Sequence, residues 1–230
     1  MRFFDRYLKG DAVPDDPAFR VQDNLGRWRT EPAWPPADAE RFTMSLRPGE
    51  YTDRPDNVAE NGGGLSGTPG NGTWTVSQPL PYQVHLSGVA KVTLDVAVTG
   101  PRTTTVALLY DIGPDGRATL ITRGAYAVKA SGPVSFELYP QDWRLLAGHR
   151  IGLLVSGSDL SLYYPPHSGL PAQLRGGSVS MPALRGLRTF ESTAVGRPST
   201  AMKARPAPFA VPAATIAAAE QQVALPPQQG

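Results

Sequence analysis

Residues Val89–Ser158 read VAKVTLDVAVTG, then PRTTTVALLYDIGPDGRATLITRGAYAVKAS, then GPVSFELYPQDWRLLAGHRIGLLVSGS. Val92, Leu94 and Val96 alternate with Lys91, Thr93 and Asp95, the period of two that buries one face of a strand. Val106, Leu108 and Tyr110 continue the alternation, and Ala118 to Thr122 resumes it after Pro114-Asp115-Gly116. That tripeptide is a hairpin signal, because proline presets φ and glycine accepts φ > 0. Val134, Phe136 and Leu138 make a further strand, and Ile151 to Ser156 another after the Ala147-Gly148 turn. The stretch is four or five consecutive strands of an antiparallel β core.

Composition agrees. The 230 residues include 24 Pro and 24 Gly, which suits short strands joined by turns and leaves little room for long helices. A hydrophobic content of 40% is enough for a core. The net charge is only +2 and no basic run is concentrated, which argues against a nucleic-acid partner. With no Cys, disulfides, thiolate metal sites and cysteine nucleophiles are excluded. No apolar run approaches the ~20 residues that span a bilayer, and no apolar core follows Arg2, Asp5, Arg6 and Lys9 to make a secretory signal. The expectation is a cytoplasmic protein with no membrane partner.

Outward from the core, MRFFDRYLKG (Met1–Gly10) places Phe3, Phe4, Tyr7 and Leu8 at helical spacing, with Gly10 as a stop. So short an amphipathic helix needs something to pack on. A Pro- and Asp-rich linker, Asp11–Asp16, follows. Phe19–Gln22 and Ala39–Leu46 read as strands, and GRWRTEPAWPP (Gly26–Pro36) as irregular. Arg47–Pro81 is the loosest region, and NGGGLSGTPGNG (Asn61–Gly72) cannot hold regular structure. Gln83–Leu86 and Gly177–Ala183 complete the strands, and LSLYYPPHSG (Leu160–Gly169) is an aromatic, Pro-rich loop. Beyond about Thr193 the chain is Ala, Pro and Gln and reads as a disordered tail, with Ala213–Leu225 transiently helical. The divisions are thus 1–16 terminal helix and linker, 17–190 β-sandwich, and 191–230 tail.

Signals of chemistry are weak. Gly62, Gly64 and Gly67 match G-x-G-x-x-G in form, but Thr68-Pro69-Gly70 bars the helix that a dinucleotide site needs. Gly64-Leu65-Ser66-Gly67-Thr68 fails as a nucleophile elbow at its last position. His85, His149 and His167 are far apart and read as ordinary surface or hydrogen-bonded histidines. Asp111 and Asp115 flank a turn too poor in oxygen ligands for Ca²⁺, so neither a metal nor a cofactor is expected. A nucleophile assembled from Ser156 or Ser158 with His149 would lack both elbow and oxyanion loop. Asn71-Gly72-Thr73 is a glycosylation sequon only in form. Trp74 and Trp143 read as core. The loop aromatics Trp28, Trp34, Tyr163 and Tyr164 read as packing residues first and as ligand contacts second.

FFDRYLKG, GRWRTEPAWPP, VTLDVAVTGPRTTTVALLYDIGPDGRATLITRGAY and FELYPQDWRLLAGHRIGLLVSGSD, in that order and spacing, resemble the C-terminal domain of the X-prolyl dipeptidyl-peptidase and cocaine-esterase family of serine hydrolases. The resemblance spans about Met1–Leu184. It implies an all-β jelly-roll sandwich of galactose-binding-like fold, with FFDRYLKG as the last helix of an α/β-hydrolase domain. The Ser-Asp-His triad of that family would then lie before Met1, and no catalytic residue is carried over to this chain. Two functions are expected. One is an accessory domain that packs on an α/β-hydrolase core, domain or subunit, through Phe3, Phe4, Tyr7 and Leu8. The other is an independent carbohydrate- or ligand-binding module using the four loop aromatics. Homo-oligomerisation stays open.

Overall fold

The computed structural model describes residues 4–13, 18–54, 71–159, 166–191 and 208–227. In chain order the strands are β1 (Phe19–Gln22), β2 (Trp28–Glu31), β3 (Ala39–Leu46), β4 (Gly49–Thr52) and β5 (Thr73–Ser77). Then come β6 (Val84–Gly88), β7 (Lys91–Val98), β8 (Thr103–Ile112), β9 (Arg117–Val128) and β10 (Gly132–Glu137). After these follow β11 (Gln141–Leu145), β12 (Arg150–Ser156), β13 (Pro171–Leu184), β14 (Phe209–Ala210), helix α1 (Ala213–Ala219) and β15 (Glu220–Gln221).

Two antiparallel sheets face each other. In the first, β3, β13, β7 and β10 are neighbours in that order; in the second, β5, β12, β8 and β9 are. The chain moves between them as β3, then β5, then β7, then β8 and β9, then β10, then β12, then β13. This alternation, with the last strand beside the first, is the double Greek key of a jelly roll. The β6–β11 pair extends the first sheet beyond this frame.

The period-two stretch behaves as its pattern requires. Val92, Leu94 and Val96 on β7 are buried, with Lys91 and Thr93 exposed between them. They meet Ala107, Leu109, Ile121, Ile151, Leu153 and Val155 from the second sheet across one core. Gly116 takes φ +77° in the Pro114-Asp115-Gly116 turn between β8 and β9. Gly157 lies so close to the neighbouring chain that a Cβ there would come within 2.3 Å of the Thr52 carbonyl oxygen and 2.8 Å of Asp53 Cα. Gly157→Ala is therefore expected to lose about 1–3 kcal/mol in a urea melt, since backbone must move.

Strand β8 is buried along its whole length, on both faces. Val106, Leu108, Tyr110 and Ile112 point away from the inner core and form a second apolar cluster with Trp74, Val76, Leu120 and Leu154. Its cover comes from the segment read as a tail. Residues 208–227 are not free: β14 pairs with β9, β15 pairs with β5, and Val211 and Ala219 are buried. Residues 192–207 lie outside the described residues.

Three further readings change. The stretch taken as irregular contains β2, which pairs with β1. The loosest region contains β4 and β5 at its ends; residues 55–70 lie outside the described residues. The N-terminal helix is a single π turn, Asp5–Lys9, closed by Gly10 at φ +74°. No helix among the described residues is long and apolar enough to cross a membrane.

Candidate functional site

The N-terminal turn buries none of its residues. Asp5 and Lys9 pair at 2.6 Å one turn apart, and Arg6 Nη2 donates to the Val13 carbonyl at 2.6 Å. Phe4, Tyr7 and Leu8 are 47%, 66% and 76% exposed. They are exposed apolar side chains on and beside one short turn; Phe3 lies outside the described residues.

The β1–β2 ribbon is amphipathic in an inverted sense. Its outer face carries Trp28, with the Arg20 guanidinium 4.8 Å from the ring centroid; Arg20 also grips both Glu191 oxygens. Its inner face buries charge. Arg29 is completely buried and donates to Glu31 Oε1 at 2.7 Å and to Asp142 Oδ1 and Oδ2 at 2.8 and 2.5 Å. Ser87 Oγ donates to Asp142 Oδ2 at 2.8 Å, and His85 Nε2 lies 2.7 Å from Asp142 Oδ1. At the other end Arg188 Nε reaches Glu31 Oε1 at 2.8 Å and Arg188 Nη1 reaches Asp38 at 3.0 Å. The result is an alternating chain, His85–Asp142–Arg29–Glu31–Arg188–Asp38, that ties the ribbon to β6, β11 and the end of the sandwich. Burial alone would raise the Asp142 carboxyl. The bonds from Arg29 and His85, with their charges, more than offset it and hold the group at about 2.

Each of the other histidines also meets an aspartate. His149 Nδ1 lies 2.7 Å from Asp111 Oδ1, while Trp143 Nε1 donates to Asp111 Oδ2 at 2.9 Å. His167 Nδ1 lies 2.7 Å from Asp53 Oδ1, and Asp53 Oδ2 accepts from Thr104 N, Ser168 N and Ser168 Oγ. Burial pushes the Asp53 carboxyl up, but these bonds leave it below its usual range. A nucleophilic serine needs its hydroxyl on the base. Here Ser87 and Ser168 donate to the carboxylates instead, and Ser156 Oγ donates to the Asn71 carbonyl rather than approaching His149. The Asn71 side chain is itself buried, bridging the Thr52 N–H and carbonyl at 2.5 and 2.7 Å.

Of the loop aromatics, Trp28 is 37% exposed and Trp34 is half-buried; no ring contact joins them. Tyr163 and Tyr164 lie outside the described residues. The ion-pair chain had no signature in the sequence, because its bonded members are up to 157 residues apart.

Residues 11–199 match the model of the X-Pro dipeptidyl-peptidase C-terminal non-catalytic domain. The chain belongs to that family. A Streptomyces avermitilis protein named as an Xaa-Pro dipeptidyl-peptidase is 24% identical over 82% of this chain and 39% of its own length. The fold is shared with solved hydrolases. A CocE/NonD family hydrolase from Staphylococcus aureus gives a TM-score of 0.61 at 14% identity, over 80% of this chain and 44% of that one. An aminopeptidase from a Thaumarchaeota archaeon gives 0.63 at 14% identity, over 79% and 43%. The chain thus spans about two-fifths of the length of these relatives. Every strand from β1 to β13 of this non-catalytic domain, and the whole ion-pair chain, falls inside the matched region. The covering segment 208–227 falls outside it.

Proposed function

We propose that this chain is the accessory β-sandwich of an α/β serine hydrolase of the X-Pro dipeptidyl-peptidase and esterase type. It packs on the hydrolase core and forms one wall of the active-site cleft. The observation that carries this reading is the exposed stripe Phe4, Tyr7 and Leu8, set immediately before a domain whose relatives are more than twice its length. A stripe of large apolar side chains on a one-turn element is costly to leave in water and marks a contact surface. The buried ion-pair chain supports the same role, because it fixes the first ribbon after that stripe rigidly to the sandwich.

The test is a paired substitution. Phe4→Ala with Leu8→Ala is expected to leave the chain's own unfolding free energy in urea within about 0.5 kcal/mol of wild type, since neither side chain is buried. Binding to a supplied hydrolase core should weaken at least about tenfold. Undiminished binding by the double variant would remove the stripe from the interface. The alternative of a carbohydrate-binding module draws less support, because the Arg20 guanidinium already occupies one face of Trp28, the more exposed of the two described candidates.

A further inference from the structure

The stripe assigned to docking does not include residues 208–227, and the second sheet receives them. Phe209 and Ala210 add antiparallel to β9 opposite Ala118 and Arg117, and Val211 N donates to the Gly116 carbonyl at 2.9 Å. Helix α1 then crosses the sheet, and Glu220 and Gln221 add parallel to β5 opposite Val76 and Ser77. Phe209 completes an aromatic cluster, its ring centroid 5.5 Å from Tyr110 edge-on and 6.3 Å from Trp74. Val211, Ile216 and Ala219 fill the remaining face. Arg150 pairs with Glu220 at the exit, and Tyr82 Oη donates to the Pro226 carbonyl at 2.5 Å.

The attachment is specific but light. The strand ladders are two residues long at each end, with one further backbone bond beside the first from Val211 N to the Gly116 carbonyl, and α1 has seven residues with no side-chain cap. Clefts of about 280 and 360 Å³ run beside the segment, one at Leu80, Tyr82, Val223 and Leu225, the other at Pro114, Asp115, Ile216 and Ala217. Both sheet edges and the apolar face between them thus accept one strand–helix–strand peptide, by strand addition and by side-chain insertion.

We propose that the outer face of the second sheet is a peptide-docking groove whose resident ligand is the chain's own residues 208–227, and that the same segment of a second copy exchanges into it. An identical segment makes identical contacts, so effective concentration alone decides between the resident and the visitor. Release requires opening only this segment, while the inner core between the sheets stays closed.

The full chain provides the test, with a fluorescein-labelled peptide of residues 208–227 as probe. Anisotropy should rise saturably on titration with wild-type protein. Full-length protein carrying Phe209→Ala and Ile216→Ala should bind the same peptide at least about tenfold more tightly, because its resident competitor is weakened. No saturable binding to either protein, or equal binding to both, would overturn the proposal. Amide exchange on the wild type is a second reading that needs no variant. The Val211 and Ile216 amides should exchange at least about a hundredfold faster than those of Leu109 and Leu153. Equal protection would mean that the segment opens only when the whole domain unfolds, and exchange between copies would fail with it.

Discussion

Replacing Arg29 by methionine is expected to destabilise the domain by about 3–5 kcal/mol in urea at neutral pH. The guanidinium is fully buried and, among the described residues, is the one cation that meets both Asp142 and Glu31. Without it, among the described residues Asp142 keeps Ser87 and His85, and Glu31 keeps Arg188. Taking charge out of water is costly, and removing one partner strands the other. The exposed Arg20–Glu191 pair, by contrast, should be removable with no measurable change in the midpoint. A loss below about 1 kcal/mol for Arg29→Met would mean that the ion-pair chain does not hold the ribbon in place.

The same site sets an acid limit. Asp142 is held at about 2, below the ~3.9 of an unfolded aspartate. A depressed carboxyl contributes stability above its unfolded pKa and loses it as pH falls through the folded one. Wild-type stability should therefore fall as pH drops from about 4 toward 2, and Arg29→Met should flatten the loss in that window. An equally steep fall in the variant would place the titrating group elsewhere.

Leu108→Ala and Leu109→Ala should each cost about 2–5 kcal/mol. The two neighbours point to opposite faces of β8, and both are buried: Leu109 in the core between the sheets, Leu108 under the covering segment. On a sheet with one wet face the Leu108 substitution would be nearly neutral, within about 0.5 kcal/mol. Near-neutrality would show that residues 208–227 do not seal the outer face.

That contrast also marks where the sequence was legible. Val92, Leu94 and Val96 alternate cleanly because one face of β7 is wet, and Pro114-Asp115-Gly116 needs a positive φ that glycine supplies. Strand β8 carries an apolar run, VALLY, that is wet on neither side. That run implies a second cover. The cover itself was hidden because its contacts come from Phe209, Val211 and Ile216, scattered through Ala, Pro and Gln. Strand β2 was missed for the opposite reason. Its buried positions are Arg29 and Glu31, and a buried-charge strand looks like a polar loop until Asp142 arrives from 113 residues away. The histidines read as surface or hydrogen-bonded residues, and no local pattern revealed that His85 would be buried or that each would meet an aspartate.

The most direct test of the accessory-domain reading is a binding titration. The purified chain is added to the part of the Streptomyces avermitilis relative that lies outside the matched region. Interdomain contacts of about 600–1,500 Å² sustain measurable association. A saturable one-to-one complex with a Kd of about 10 μM or tighter is the predicted result, weakened by Phe4→Ala with Leu8→Ala. Absence of any complex at about 100 μM would contradict the proposal that this sandwich docks on a hydrolase core.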